Sequence, residues 1–155
     1  CAHIALGKQL EKIYYADANF IQRLGQENYR KQQAYFSYIR KIDILAFGMG
    51  YFNTKTSPPT EKKSDVYLAT MLVDACHRDL FDYAYLVSGD CDLAPAVDIV
   101  VGKGKRVINV YFDNKLRNSY GLRQHCQKFF KHLTKSIAQS YKWDAPPPSA
   151  ALPSH

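Results

Sequence analysis

Residues 86–92 read LVSGDCD, which sets two carboxylates, Asp90 and Asp92, one residue apart behind a serine and a glycine. Like charges at that spacing repel unless something cationic sits between them. The cation can be a metal ion, a lysine or solvent. The pair directly follows an apolar run, so it stands just beyond the end of a strand, with Gly89 placed to let the backbone turn there. Asp65 opens an amphipathic stretch, and its neighbours Ala69 and Leu72 angle it inward. Three acids meeting at one sheet edge have the chemistry to bind a hard cation, Mg²⁺ or Mn²⁺, through oxygen. Such an ion clamps a phosphodiester and acidifies an attacking water. Each acid also has a plainer use. Asp65 suits the first turn of a helix, and Asp92 suits the cap of the helix that follows it.

Other reactive side chains form weaker patterns. His77, His125 and Cys126 have no spacing that requires zinc, and the four cysteines include no C-x-x-C pair. Cys91 lies between the two acids, but no histidine is placed by sequence to activate it. The GKGK run at 102–105 lacks the spacing of a phosphate loop and reads as a helix stop before a strand.

The elements that must position the acids alternate between strand and helix. KIYYA (12–16), IDILAFGMGYF (42–52), YAYLVS (83–88) and KRVINVYF (105–112) read as strands. The third is continuously apolar, as in a strand covered on both faces. NYRKQQAYFSYIRK (28–41), the stretch from Ser64, APAVDIVVGK (94–103) and YGLRQHCQKFFKHL (120–133) read as helices. The second helix is expected to bury Val66, Ala69, Val73, Cys76 and Leu80. The last is expected to bury Leu122, Cys126, Phe129, Phe130 and Leu133. NTKTSPPTEKK (53–63) reads as a loop. The alternation predicts crossover units, hence a mainly parallel sheet between helices.

The 155 residues suit one domain, expected over 1–143, with a flexible Pro/Ala/Ser-rich tail over 144–155. No apolar run nears the ~20 residues of a membrane helix, and the scattered cysteines suit a reducing, cytoplasmic setting. The formal net charge is +7, with 21 Lys and Arg beside 12 Tyr and 8 Phe. That balance favours a polyanion such as nucleic acid, onto whose bases exposed aromatics can stack.

The segment 61–112 resembles the centre of an NYN domain, a family of PIN-like nucleases. Glu61, Lys62, Asp65, Val66, Leu68 and Ala69 match its E-K-x-x-D-V-x-L-A pattern. Asp82, Ala84, Leu86, Val87, Ser88, Gly89, Asp90, Asp92, Leu93 and Pro95 match its D-x-A-x-L-V-S-G-D-x-D-[LF]-x-P pattern. Gly104, Lys105 and Val107 match G-K-x-V. YYADANF and RKQQAYFSYIRK are similar to the family's second strand and following helix, so the resemblance spans about residues 12–133.

The resemblance implies a three-layer α/β/α sandwich with a mainly parallel, Rossmann-like central sheet. It also implies Mg- or Mn-dependent hydrolysis of RNA, with Asp65, Asp90 and Asp92 as metal-binding and catalytic acids lined by Ser88 and Gly89. Single-stranded RNA is the expected partner. Arg30, Lys31, Arg40, Lys62, Lys63, Lys115, Arg117 and Arg123 are the cations expected to border it, and a homodimer is compatible. The family's first strand ends in D-G-x-N, which is absent from AHIALGKQLEKIYY. That strand is therefore expected to be missing, leaving an open or substituted place beside the 83–88 strand. Asp17-Ala18-Asn19 follows what aligns as the second strand and is rejected as its substitute. Met71 stands where the family often has a further acid. The alternatives are a catalytically weakened module that binds RNA or protein, and, more distantly, a small-molecule phosphatase, which the basic charge disfavours.

Overall fold

A computed structural model describes residues 9–112, 120–126 and 130–133 of the chain. Four strands run where the apolar alternation places them: β1 (Ile13–Asn19), β2 (Leu45–Asn53), β4 (Tyr83–Val87) and β5 (Arg106–Phe112). Two more were not expected. The polar 53–63 segment closes a hairpin, in which β3 (Thr60–Lys62) pairs antiparallel with the end of β2. The predicted helix over 120–133 stops early. Helix α4 covers Tyr120–His125, and Phe130–Leu133 is a strand, β6, parallel to β5 with Phe130 opposite Asn109. Ladder hydrogen bonds to β5 outweigh the helical spacing there, because a paired strand satisfies a backbone that a lone helix end leaves open. Leu122 and Cys126 are buried as the spacing predicts. The 144–155 tail, with Lys115 and Arg117, lies outside the described residues.

The remaining helices are α1 (Gln26–Ile39), α2 (Ser64–His77) and α3 (Ala94–Gly102), with Pro95 in the first turn of α3. One face of the strands carries α1, whose Phe36 ring lies edge-on to Phe47 of β2 at 4.8 Å and whose Tyr35 meets Tyr15 of β1. The opposite face carries α2, α3 and α4. Cys76, Val97, Val100 and Leu122 of these helices, with the flanking Leu93 and Cys126, share one buried core with Val107 of β5. The result is a three-layer α/β/α fold.

Helix α2 ties the two halves together. A Cβ on Gly48 would overlap the Tyr67 ring, and one on Gly50 would overlap Ser64 Oγ and the Lys62 carbonyl. The two glycines therefore let α2 lie directly on β2. Ser64 sits over Gly50 and Tyr67 over the earlier Gly48, so the helix runs antiparallel to β2. Further along α2, Leu68, Ala69, Leu72 and Val73 pack against the same buried core as Ala84 and Leu86 of β4. Ala69, Val73 and Cys76 face the core as the spacing predicts, and Val66 and Leu80 do not. With Ser64, Tyr67, Leu68 and Leu72 turned to the strands, Val66 points away and is 70% exposed, and Leu80 is exposed beyond the helix end.

The strands form two three-stranded ladders, β1-β2-β3 and β4-β5-β6, in which every pairing but β2–β3 is parallel. Among the described residues, no strand pairs with the outer edge of β1 or of β4. Separately from that edge, the faces of the 83–88 run are less covered than its composition predicts. Tyr83 to Leu86 are half-buried and Val87 is 48% exposed.

Candidate functional site

The chain leaves β4 at Val87 and turns through Ser88 and Gly89 into a single 3-10 turn, Cys91–Leu93, that opens α3. Hydrogen bonds hold this turn. The Asp90 N–H donates to Ser88 Oγ at 3.1 Å, and the Asp92 N–H donates to Asp90 Oδ1 at 3.0 Å. From the neighbouring strand, the buried Asn109 donates its amide to the carbonyls of Leu86, at 3.2 Å, and Ser88, at 2.9 Å. Asn109 escaped the sequence reading. Its one signal is an amide inside the apolar run VINVYF, and its use becomes visible only with the register that sets it beside Leu86.

The plainer use of an acid at this turn falls to Asp90, whose Oδ1 caps the 3-10 turn, whereas α3 has no side-chain cap from Asp92 or any other residue. Asp92 is exposed, and the second oxygen of Asp90 is not used by the cap. Ligand atoms of Asp90, Cys91 and Asp92 lie within 4.8 Å of one another. Among the described residues this is the one cluster of His, Cys, Asp and Glu side chains with that property.

Asp65 stands at the start of α2, outside that cluster but close enough to feel it. Its carboxyl is pushed above the ordinary carboxylate value, first by partial burial, then by the charges of Asp90, Glu61 and Asp92. A carboxylate in the first turn of a helix ordinarily gains from the helix dipole, and here partial burial first and the neighbouring acids second outweigh that gain. Glu61 joins it from β3, whose pairing with Phe52 turns it to the α2 side. Beside Asp65, Ser64 Oγ is buried and has no hydrogen-bond partner among the described residues.

A raised carboxyl pKa fixes the sign of a pH effect. The folded chain holds the Asp65 proton more tightly than the unfolded chain, so stability falls as pH rises from the ordinary value of 3.8 through the raised one. Asp65→Asn is therefore expected to raise Tm at neutral pH, and the gain should vanish once the pH drops below 3.8. Melting curves of both chains across that range, in chelator, check it.

The other candidates are spread more widely. Lys62 ends β3 and Lys63 precedes α2 with a left-handed φ of 80°; both are exposed. Arg30 and Lys31 lie in the second turn of α1, near the edge where β1 ends, and Lys31 pairs with Glu27 at 3.2 Å. Arg123 is on α4. Arg40, at the far end of α1, instead covers the Phe47 ring at 4.9 Å. Asp17 accepts from Tyr15 and Gln32 on the α1 face, away from the acid corner. His77 bonds the Val73 carbonyl, His125 pairs with Asp98 at 2.7 Å, and burial pushes the Cys126 thiol up to about 11, so these three do not gather as ligands. No described helix is long and apolar enough to cross a membrane.

A strand-end acid pair, a third acid from a helix start and an α/β/α fold are the marks of a PIN-like nuclease domain. The NYN domain model matches residues 2–134, and the chain belongs to the NYN domain family. NYN domains are ribonuclease-like, RNA-associated and typically dependent on divalent metals. No curated protein and no solved structure gives a significant match.

Proposed function

We propose that this domain hydrolyses RNA phosphodiester bonds with Mg²⁺ or Mn²⁺ held by Asp90 and Asp92 and supported by Asp65. The observation that carries the reading is the crowding of acids at one corner: Asp90 and Asp92 have ligand atoms within 4.8 Å, and their charges raise Asp65. Oxygen donors of that kind suit a hard cation. Bound there, it would neutralise the scissile phosphate and make a water more acidic.

The chain's own residues have separable tasks in this scheme. Asn109 and Ser88 hold the turn that presents the acids. Asp90 keeps one oxygen on the Asp92 N–H and offers the other, while Asp92 offers both. Lys62 and Lys63, with Arg30, Lys31 and Arg123, bind phosphates along a single strand.

Mn²⁺ binding tests the site without a substrate. Titration followed by the electron paramagnetic resonance of free Mn²⁺ should show one ion held by the wild-type chain. Asp90→Asn with Asp92→Asn should hold it at least about tenfold more weakly. Equal binding by both would remove the ion from this corner.

A module that binds RNA without cutting it is the second reading. It is favoured by Asp65 standing outside the 4.8 Å cluster and by Met71 at a position where an acid is common in the family.

A further inference from the structure

Gly48 and Gly50 face α2, so the residues alternating with them, Met49 and Tyr51, face the other way. On that side α1 covers β2 as far as Phe47, and the two residues beyond are bare: Met49 is 42% exposed and Tyr51 is 48% exposed. Tyr51 pairs with Lys62 across the β2–β3 hairpin, and cross-strand partners share a face. Lys63 reaches back over the ring, its Nζ 5.3 Å from the centroid. A ring face that receives a lysine from solvent is open to a planar ligand as well. Lys63 lies two residues before Asp65, so the lysine that crosses the ring immediately precedes the first turn of α2.

We propose that Tyr51 is a stacking platform for a base of single-stranded nucleic acid, flanked by Lys62 and Lys63 as phosphate contacts. This rests on the RNA reading above and adds to it a residue that grips the base. A bare aromatic between two lysines fits a strand that carries both π-faces and charge. Protein interfaces are instead depleted in lysine. When the base stacks, it takes the ring face now shared with Lys63, whose ammonium is then free for the adjoining phosphate. The cation–π contact thus keeps the platform oriented in the free protein.

The test separates base from backbone. Binding of a fluorescent oligouridylate and of an abasic ribose-phosphate oligomer of equal length is measured for the wild type and for Tyr51→Phe, Tyr51→Leu and Tyr51→Ala. Tyr51→Phe should bind oligouridylate within about twofold of wild type, because the π-face is kept. Tyr51→Leu and Tyr51→Ala should bind it about fivefold to a hundredfold more weakly, with abasic binding unchanged. Unchanged oligouridylate binding in Tyr51→Leu would overturn the proposal and leave the patch to a protein partner. Equal losses on both oligomers would also overturn it, by making the residue a support for the fold or for the charges. If the wild type binds neither oligomer, the RNA reading itself fails; if it binds both and Tyr51 is indifferent, only the platform fails.

Discussion

Asp90→Asn is expected to cut metal-dependent RNA cleavage by a factor on the order of 10²–10³ while leaving Tm equal or higher. The asparagine carbonyl can still accept from the Asp92 N–H, as Asp90 Oδ1 does at 3.0 Å, so the 3-10 turn keeps its cap. One negative charge leaves a corner where the Asp90 carboxylate helps to raise Asp65, so the metal-free fold loses repulsion and no packing. Asp90→Ala should differ in one respect. It removes the cap as well, at about 1 kcal/mol, and so should melt lower than Asp90→Asn while cleaving no better. Cleavage rates and melting curves of the two variants together distinguish an acid that serves chemistry from one that serves only the turn.

The second large effect is on salt. If about five phosphates contact Arg30, Lys31, Lys62, Lys63 and Arg123, the logarithm of the affinity for single-stranded RNA should fall with the logarithm of salt at a slope of about −3.5. That is roughly a hundredfold weaker binding at 200 mM than at 50 mM salt. A slope near zero would detach the +7 charge of the chain from RNA binding. Lys63→Gln should lower the slope by about 0.7, whereas Arg40→Gln should not, because Arg40 sits on the Phe47 ring at the opposite end of α1.

The sequence is most informative where one local rule decides the structure. Helix α2 begins at Ser64 as hydrophobic spacing predicts, and strand β4 (Tyr83–Val87) ends one residue short of the expected 83–88. Asp65 opens α2, and the charges of Asp90 and Asp92 reach it there. What is hidden in the sequence depends on pairing across the chain. Strand β3 is three exposed polar residues that are strand only because β2 lies beside them. The stretch after Cys126 carries helical spacing but pairs with β5. Val66 has the apolar character of a core residue, yet α2 rests on two ladders through Ser64, Tyr67 and Leu68, which turns Val66 to solvent. Asn109 is the sharpest case, since nothing in its own strand announces that it fastens the turn carrying Asp90.

The measurement closest to the central claim is cleavage of a labelled single-stranded RNA by the wild-type chain, with Mn²⁺ and then with excess chelator. Shorter fragments are expected to accumulate with Mn²⁺, to stop forming when the chelator is added and not to form with Asp90→Asn. Fragments that form equally in chelator, or equally with Asp90→Asn, would contradict that claim. So would RNA that binds and stays intact at every Mn²⁺ concentration.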